Sequence, residues 1–217
     1  MSSWIGVGQS DIGLVRTLNQ DAFAVLDEVG VWAVADGMGG HVGGEVAAQT
    51  AIATVQAEAR TTSTLLYNDQ ASAVEVLTDL ISRAHDAILN QARSKSKLKG
   101  MGTTIVLLAI VSDPAPLAYL AHVGDSRAYR FRSGTLTPLT KDHTCIQKYL
   151  ERGILTVETA KTHPERHVLT RALGVGSTMK PTVTALPLLP EDLVLLCSDG
   201  LAKMLEDEEI RTVVAAG

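Results

Sequence analysis

Val31-Trp32-Ala33-Val34-Ala35-Asp36-Gly37 runs five apolar residues into an acid and a glycine. The apolar run reads as a strand and the glycine as its end. The same arrangement recurs in Leu193-Val194-Leu195-Leu196-Cys197-Ser198-Asp199-Gly200 and in Ala121-His122-Val123-Gly124-Asp125. A further acid, Asp21 in Asn19-Gln20-Asp21, stands just before Phe23, at the opposite end of its strand. A carboxylate at the mouth of a buried strand is costly unless something satisfies it. Turn chemistry accounts for an isolated Asp-Gly pair. Four acids around one sheet system are different, because they repel one another unless a cation neutralises them. Hard oxygen donors point to Mg²⁺ or Mn²⁺. No Cys/His set has zinc spacing.

Working outward, residues 23–26 and 31–35 predict a hairpin around Glu28-Val29-Gly30. Residues 103–111 are almost wholly apolar and predict a strand buried on both faces. Further strands are expected at 117–123, 128–132, 136–138, 182–188 and 193–197. Helices are expected at 45–59, 73–92, 144–152 and 207–216, the second with Val76, Leu77, Leu80, Ile81, Ala84, Ile88 and Leu89 on one stripe. Strand pairs and helix pairs come in blocks, with no βαβ rhythm. That predicts an α+β fold of antiparallel sheets with helices on their outer faces.

The 217 residues suit a single domain, residues 1–217, and 46% hydrophobic content excludes disorder as the main state. The longest apolar runs fall far short of the roughly 20 residues that span a bilayer, so no membrane association is expected. A net charge of −5 argues against a general nucleic-acid surface. Two cysteines, Cys145 and Cys197, are too few for a disulfide scaffold, and residues 1–8 carry no signal-peptide pattern. The expectation is a reduced, cytoplasmic protein.

Other enzyme templates fail. The glycine-rich stretch from Asp36 to Glu45 lacks the Lys-Ser or Lys-Thr of a P-loop and has the wrong spacing for a dinucleotide fingerprint. A loop bent so that a carboxylate and a backbone carbonyl face one metal fits better. A cysteine phosphatase needs Arg six residues after its Cys, where Glu151 and Lys203 stand. Gly124-Asp125-Ser126-Arg127-Ala128 nearly matches a nucleophile elbow, but a strand follows it rather than a helix. Arg16, five residues before Asp21, suits a bidentate grip on phosphate.

Together, Arg16…Asn19-Gln20-Asp21, Asp36-Gly37-Met38-Gly39-Gly40-His41, Met101-Gly102-Thr103-Thr104, Gly124-Asp125-Ser126-Arg127 and Ser198-Asp199-Gly200 resemble the metal-dependent protein serine/threonine phosphatases, the PPM or protein phosphatase 2C family, in its bacterial branch. The resemblance implies a four-layer αββα sandwich, two packed antiparallel sheets between helix pairs. It implies two, or three, Mg²⁺ or Mn²⁺ ions. Asp36 would bridge two metals, Gly37 would offer its carbonyl, Asp199 would bind the first metal and Asp21 would hold waters on the second. Asp125, with Asp199, would help hold a third. Arg16 would be catalytic with Asp36 and Asp199, binding the substrate phosphate, with His41 beside it. Residues 142–168 correspond to a flap near the site. The implied partners are phosphoserine and phosphothreonine proteins, and the implied state is a monomer.

The implied mechanism is in-line attack on phosphorus by a metal-bridging hydroxide. Met38 stands where eukaryotic members carry a His. The leaving-group proton therefore falls to a metal-bound water first, then to His41 or a flap histidine. Family members also end with an Asp-Asn pair and a last strand, and that Asp ligates the first metal. The asparagines here are Asn19, Asn68 and Asn90, and none follows an Asp. The expectation is a protein phosphatase of reduced rate lacking the last strand, with an impaired phosphoprotein-binding pseudophosphatase as the alternative.

Overall fold

Strand β1 (Asp21–Leu26) turns through a 3-10 turn at Asp27–Val29 into β2 (Val31–Met38). Gly30 closes that turn at φ 66°, a left-handed conformation that suits glycine. This is a computed structural model, and it describes residues 4–38, 42–62, 70–111 and 116–217. Strand β2 runs three residues beyond the expected end, so Asp36, Gly37 and Met38 belong to the strand rather than opening a loop.

The run at 103–111 is two strands. The short β3 (Gly102–Thr103) pairs with the end of β2, and β4 (Ile105–Val111) pairs with its middle. Strand β4 is buried along its whole length. Its Ile105, Leu107, Ala109 and Val111 pack under helices α1 (Val42–Thr62) and α2 (Gln70–Ser94), while Val106, Leu108 and Ile110 face a second sheet. An apolar residue at every position is thus what two covered faces require.

The first sheet has the order β1-β2-β4-β5-β8, with β5 at Leu117–Val123, β8 at Thr182–Pro187 and β3 alongside β2. The second has the order β7-β6-β9, with β6 at Arg127–Arg132, β7 at Thr135–Pro138 and β9 at Leu193–Cys197. Every strand pairing is antiparallel. Three apolar cores separate four layers. Ala47, Ala48, Ala51, Ile52 and Val55 of α1, with Leu77, Ile81, Ala84 and Ile88 of α2, fill the first. Trp32, Val106, Leu108, Leu120 and Ala128 fill the space between the sheets. Tyr129, Cys197 and Ala202 form the third, outside the second sheet. There α5 (Asp199–Ala202) and α6 (Asp207–Ala216), which buries Ile210, provide a lighter cover. The αββα sandwich is therefore present, with its second helix layer made of short pieces.

Residues 142–168 leave the sandwich as an excursion carrying α3 (Cys145–Glu151) and α4 (Val157–Lys161). Thr144 caps α3 by accepting from Gln147 N at 3.1 Å, and Thr156 and Thr159 form a capping box on α4. An isolated bridge, Thr144 to Leu169, pinches the base shut, reinforced by Thr170 N donating to His143 O at 2.7 Å. Among the described residues no helix is long and apolar enough to cross a membrane.

Candidate metal centre

The register of the first hairpin places Asp21 directly opposite Asp36. Alternation along the strands then puts both acids on the face that carries Val25, Trp32 and Val34 toward the second sheet. Asp125 follows the end of β5, and Asp199 follows the end of β9 after Ser198. Antiparallel pairing brings the start of β1 and the ends of β2 and β5 to one edge of the first sheet. The acids read from the sequence thus meet at one mouth of the sandwich.

Backbone contacts fix Asp36. Its N–H donates to Thr104 Oγ1 at 3.1 Å, and its carbonyl accepts from Thr103 Oγ1 and Thr104 N, each at 2.9 Å. Thr104 Oγ1 shares a 2.6 Å hydrogen bond with buried Ser126. Thr104 interrupts the ladder to do this, which is why the apolar run at 103–111 splits. Gly37 N donates to Gln20 O at 3.0 Å, and a Cβ on Gly37 would lie 2.0 Å from Gly44 O. The start of α1 therefore lies against the Gly37 backbone, and only glycine fits. Ser198 Oγ donates to Asp21 Oδ2 at 2.7 Å, tying the second sheet to the first across the mouth.

The electrostatics match a cation-binding role. Burial, then the charges of Asp199 and Asp21, push Asp36 up to about 8, with smaller contributions from a hydrogen bond to Asp199 and the charge of Asp125. Burial also raises Asp125, against the opposing pull of Lys203. Asp199 moves the other way. Burial would raise it, but the Lys203 hydrogen bond and charge, with help from Asp36 and Arg16, hold it below the usual carboxylate range. Exposed Arg16 is thus close enough for its charge to be felt at Asp199. His41 lies outside the described residues.

Lys203 and Ser198 are the groups that the sequence reading missed as participants. Lys203 Nζ lies 2.5 Å from Asp125 Oδ2 and 2.9 Å from Asp199 Oδ2. Its spacing carried the signal, four residues after Asp199, which sets two side chains on one face of a helical turn. The histidine at the base of the 142–168 excursion is not an acid. His143 Nδ1 accepts from Gly124 N at 3.2 Å, and its ring stacks on His122 with centroids 4.5 Å apart. Burial first, then His122, Arg171 and Lys148, push it down to about 3, so it is a neutral imidazole at neutral pH.

The donor set suits a hard divalent ion, since it holds carboxylates and backbone carbonyls and no thiol or imidazole. Among the described residues no three Asp, Glu, His or Cys side chains close on one point. The acids instead interact in pairs, Asp36 with Asp21, Asp199 and Asp125, and Asp125 with Asp199. Mg²⁺-type sites fit that spacing, because such ions keep several waters and take only one or two carboxylates each.

The profile of a known family, described as protein phosphatase 2C, matches residues 13–216. The chain belongs to the protein phosphatase 2C family. This protein phosphatase 2C chain is 38% identical over 205 residues to the serine/threonine protein phosphatase PstP of Mycobacterium tuberculosis, covering 93% of this chain and 37% of that protein. It is 34% identical over 212 residues to the serine/threonine phosphatase stp of Listeria welshimeri, covering 95% of this chain and 81% of that one. It also superposes on the crystal structure of the catalytic domain of the serine/threonine protein phosphatase PstP in complex with two manganese ions, with a TM-score of 0.80, 34% identity and coverage of 95% and 82%.

Proposed function

We propose that this protein phosphatase 2C member is a metal-dependent protein serine/threonine phosphatase, hydrolysing phosphoserine and phosphothreonine. The observation that carries the reading is the cross-strand pair Asp21 and Asp36, with Asp36 driven up to about 8 by burial and by its acidic neighbours. Asp21, Asp36, the Gly37 carbonyl and Asp199 would hold Mg²⁺ or Mn²⁺. Bound there, such ions supply Lewis-acid neutralisation of the phosphoryl charge and acidify water for attack at phosphorus.

The chain's own groups do the rest. Arg16 extends from the exposed segment before β1 and offers a planar guanidinium fork for two phosphate oxygens. Thr104 holds the Asp36 backbone and Ser198 holds the Asp21 carboxylate through the hydrogen bonds described above, which is the preorganisation that electrostatic catalysis needs. Neither Met38 nor neutral His143 protonates the leaving oxygen, so water takes that role ahead of any histidine.

A groove of about 520 Å³ begins at Met38, with Arg171, Val175, Met179 and Lys180 along its walls. Its two cations, set among apolar residues such as Val175 and Met179, suit an extended phosphopeptide. The excursion at 142–168, whose base at Leu169 adjoins the groove, would serve as a flap. The protein so read is a monomer working in the cytoplasm on phosphoproteins, and unpaired Cys145 and Cys197 suit a reducing compartment. The relatives named above are phosphatases, and nothing in their likeness favours a binding-only protein.

The test is hydrolysis of a phosphothreonine peptide with Mn²⁺, with and without chelator. Turnover that needs the metal and disappears in Asp36→Ala is expected. Absence of metal-dependent turnover at high enzyme concentration would overturn the reading.

A further inference from the structure

We infer that the Lys203 ammonium is a built-in cation of this centre, standing between Asp125 and Asp199 where a further metal ion would otherwise bind. The inference rests on the phosphatase reading, because it concerns how many ions that centre takes.

Asp125 is the most enclosed acid at the mouth, its side chain only 6% exposed. A carboxylate so placed needs a positive partner. Among the described residues, Lys203 is the cation that contacts it, at 2.5 Å. The same ammonium reaches Asp199 Oδ2 at 2.9 Å. Two of its three protons are thus engaged by two different carboxylates, the bridging arrangement that a divalent ion would adopt. Lysine is suited to this role because its charge is compact, unlike the planar fork of arginine.

The tether makes the arrangement competitive. Lys203 follows α5 directly, and its backbone N donates to Asp199 O at 2.9 Å. The ammonium is therefore held next to its carboxylates by the chain itself. A free ion entering the same space must displace a group that loses no translational freedom on binding. Asp21 and Asp36 differ, because among the described residues no Lys or Arg forms an ion pair with either. The protein thus supplies one positive charge itself at the Asp125 side and leaves the Asp21–Asp36 side for added ions. Lys203 acts as a positioning residue, orienting Asp199 through its Oδ2 while standing clear of Asp36.

The experiment counts bound Mn²⁺ per chain at saturation, by equilibrium dialysis with elemental analysis, on the full chain. Wild type is expected to bind two ions. Lys203→Met, which keeps the length and removes the charge, is expected to bind three. Lys203→Arg restores a cation and is expected to return to two, a rescue that a packing role alone would not produce. Three ions in wild type, or two in both wild type and a folded Lys203→Met, would overturn the inference. If Lys203→Met does not fold, Asp125→Asn decides through the same count. Two ions in both wild type and Asp125→Asn support the inference, and loss of an ion in Asp125→Asn opposes it. Phosphopeptide turnover is measured in parallel on wild type and Asp36→Ala. Metal-dependent turnover with three ions bound fails Lys203 alone, while absent turnover with counts of two and three fails the phosphatase reading alone.

Discussion

Asp192 and Asp36 are both carboxylates set into the sandwich, and the chain treats them in opposite ways. Asp192, fully enclosed at the turn between β8 and β9, receives Arg132 Nε and Nη2 at 2.6 Å each and Leu189 N at 2.8 Å. The Arg132 hydrogen bonds, opposed by burial, hold its carboxyl below the usual range. Asp142 is served similarly by Arg127, with two contacts of 2.9 Å. Burial and the charges of Asp199, Asp21 and Asp125 act on Asp36, which is pushed up to about 8. A structural acid arrives with its own guanidinium. Asp21 and Asp36 at the mouth have no such partner among the described residues, an arrangement that would favour an added cation.

Neutralising each acid breaks the comparison most directly. Asp36→Asn is expected to lower metal-dependent turnover by on the order of a thousandfold, about 4 kcal/mol of transition-state stabilisation. It should leave the metal-free protein as stable or more stable at pH 8, because a repelled charge is gone. Steady-state kinetics on a phosphopeptide and thermal melts in chelator measure the two halves. On the other side, Arg132→Met strands a buried carboxylate and is expected to cost about 3 kcal/mol of folding stability. Denaturant titration reads this, and the Mn²⁺ count should not change.

The hydrogen bonds behind Asp36 give the next effect. Thr104→Val leaves Asp36 N and buried Ser126 without their partner and is expected to cost about 2 kcal/mol. Turnover should fall roughly tenfold, equivalent to about 1.4 kcal/mol, as the backbone that carries Asp36 loosens. A drop in kcat with unchanged folding stability would show that the hydroxyl serves geometry alone.

The smallest effect is in pH. Asp36 carries a raised folded pKa, from 3.8 to about 8. Its contribution is therefore fully present below the unfolded value and is lost as pH rises toward about 8. Metal-free protein should melt lower at pH 8 than at pH 5, and Mn²⁺ should restore more stability at pH 8. Each loss of about 1 kcal/mol over that range corresponds to roughly 2–4 °C in a domain of this size. Asp192, with a lowered value, should matter only on the acid side, its contribution disappearing as pH falls below 3.8.

The layers were legible from the sequence because each strand announces its covered faces. The run from Ile105 to Val111 is apolar at every position and lies between two cores, and the α2 stripe at Leu77, Ile81, Ala84 and Ile88 packs inward. The acids were legible because each stands beside a glycine or at a strand end. The opposition of Asp21 and Asp36 was not, since β1 read alone begins at Phe23 and its extra residues exist only because β2 offers a ladder. The break at Thr104 was hidden for a similar reason, since Asp36 and Ser126, distant in the chain, decide it. Lys203 entered the reading only as the residue six after Cys197, and only the packing of the two sheets brings Asp125 within its reach.

The bridge between Thr144 and Leu169 sets where the chain can tolerate changes in length. It divides the chain into a frame and a cassette. Everything outside the bridge is bound by strand register and by the Gly37–Gly44 contact. Everything inside it, α3 and α4 included, is a closed excursion whose closure cost changes only slowly with length. Residues can be added to or removed from the cassette at little closure cost, while the strand register that sets Asp21 opposite Asp36 lies outside it.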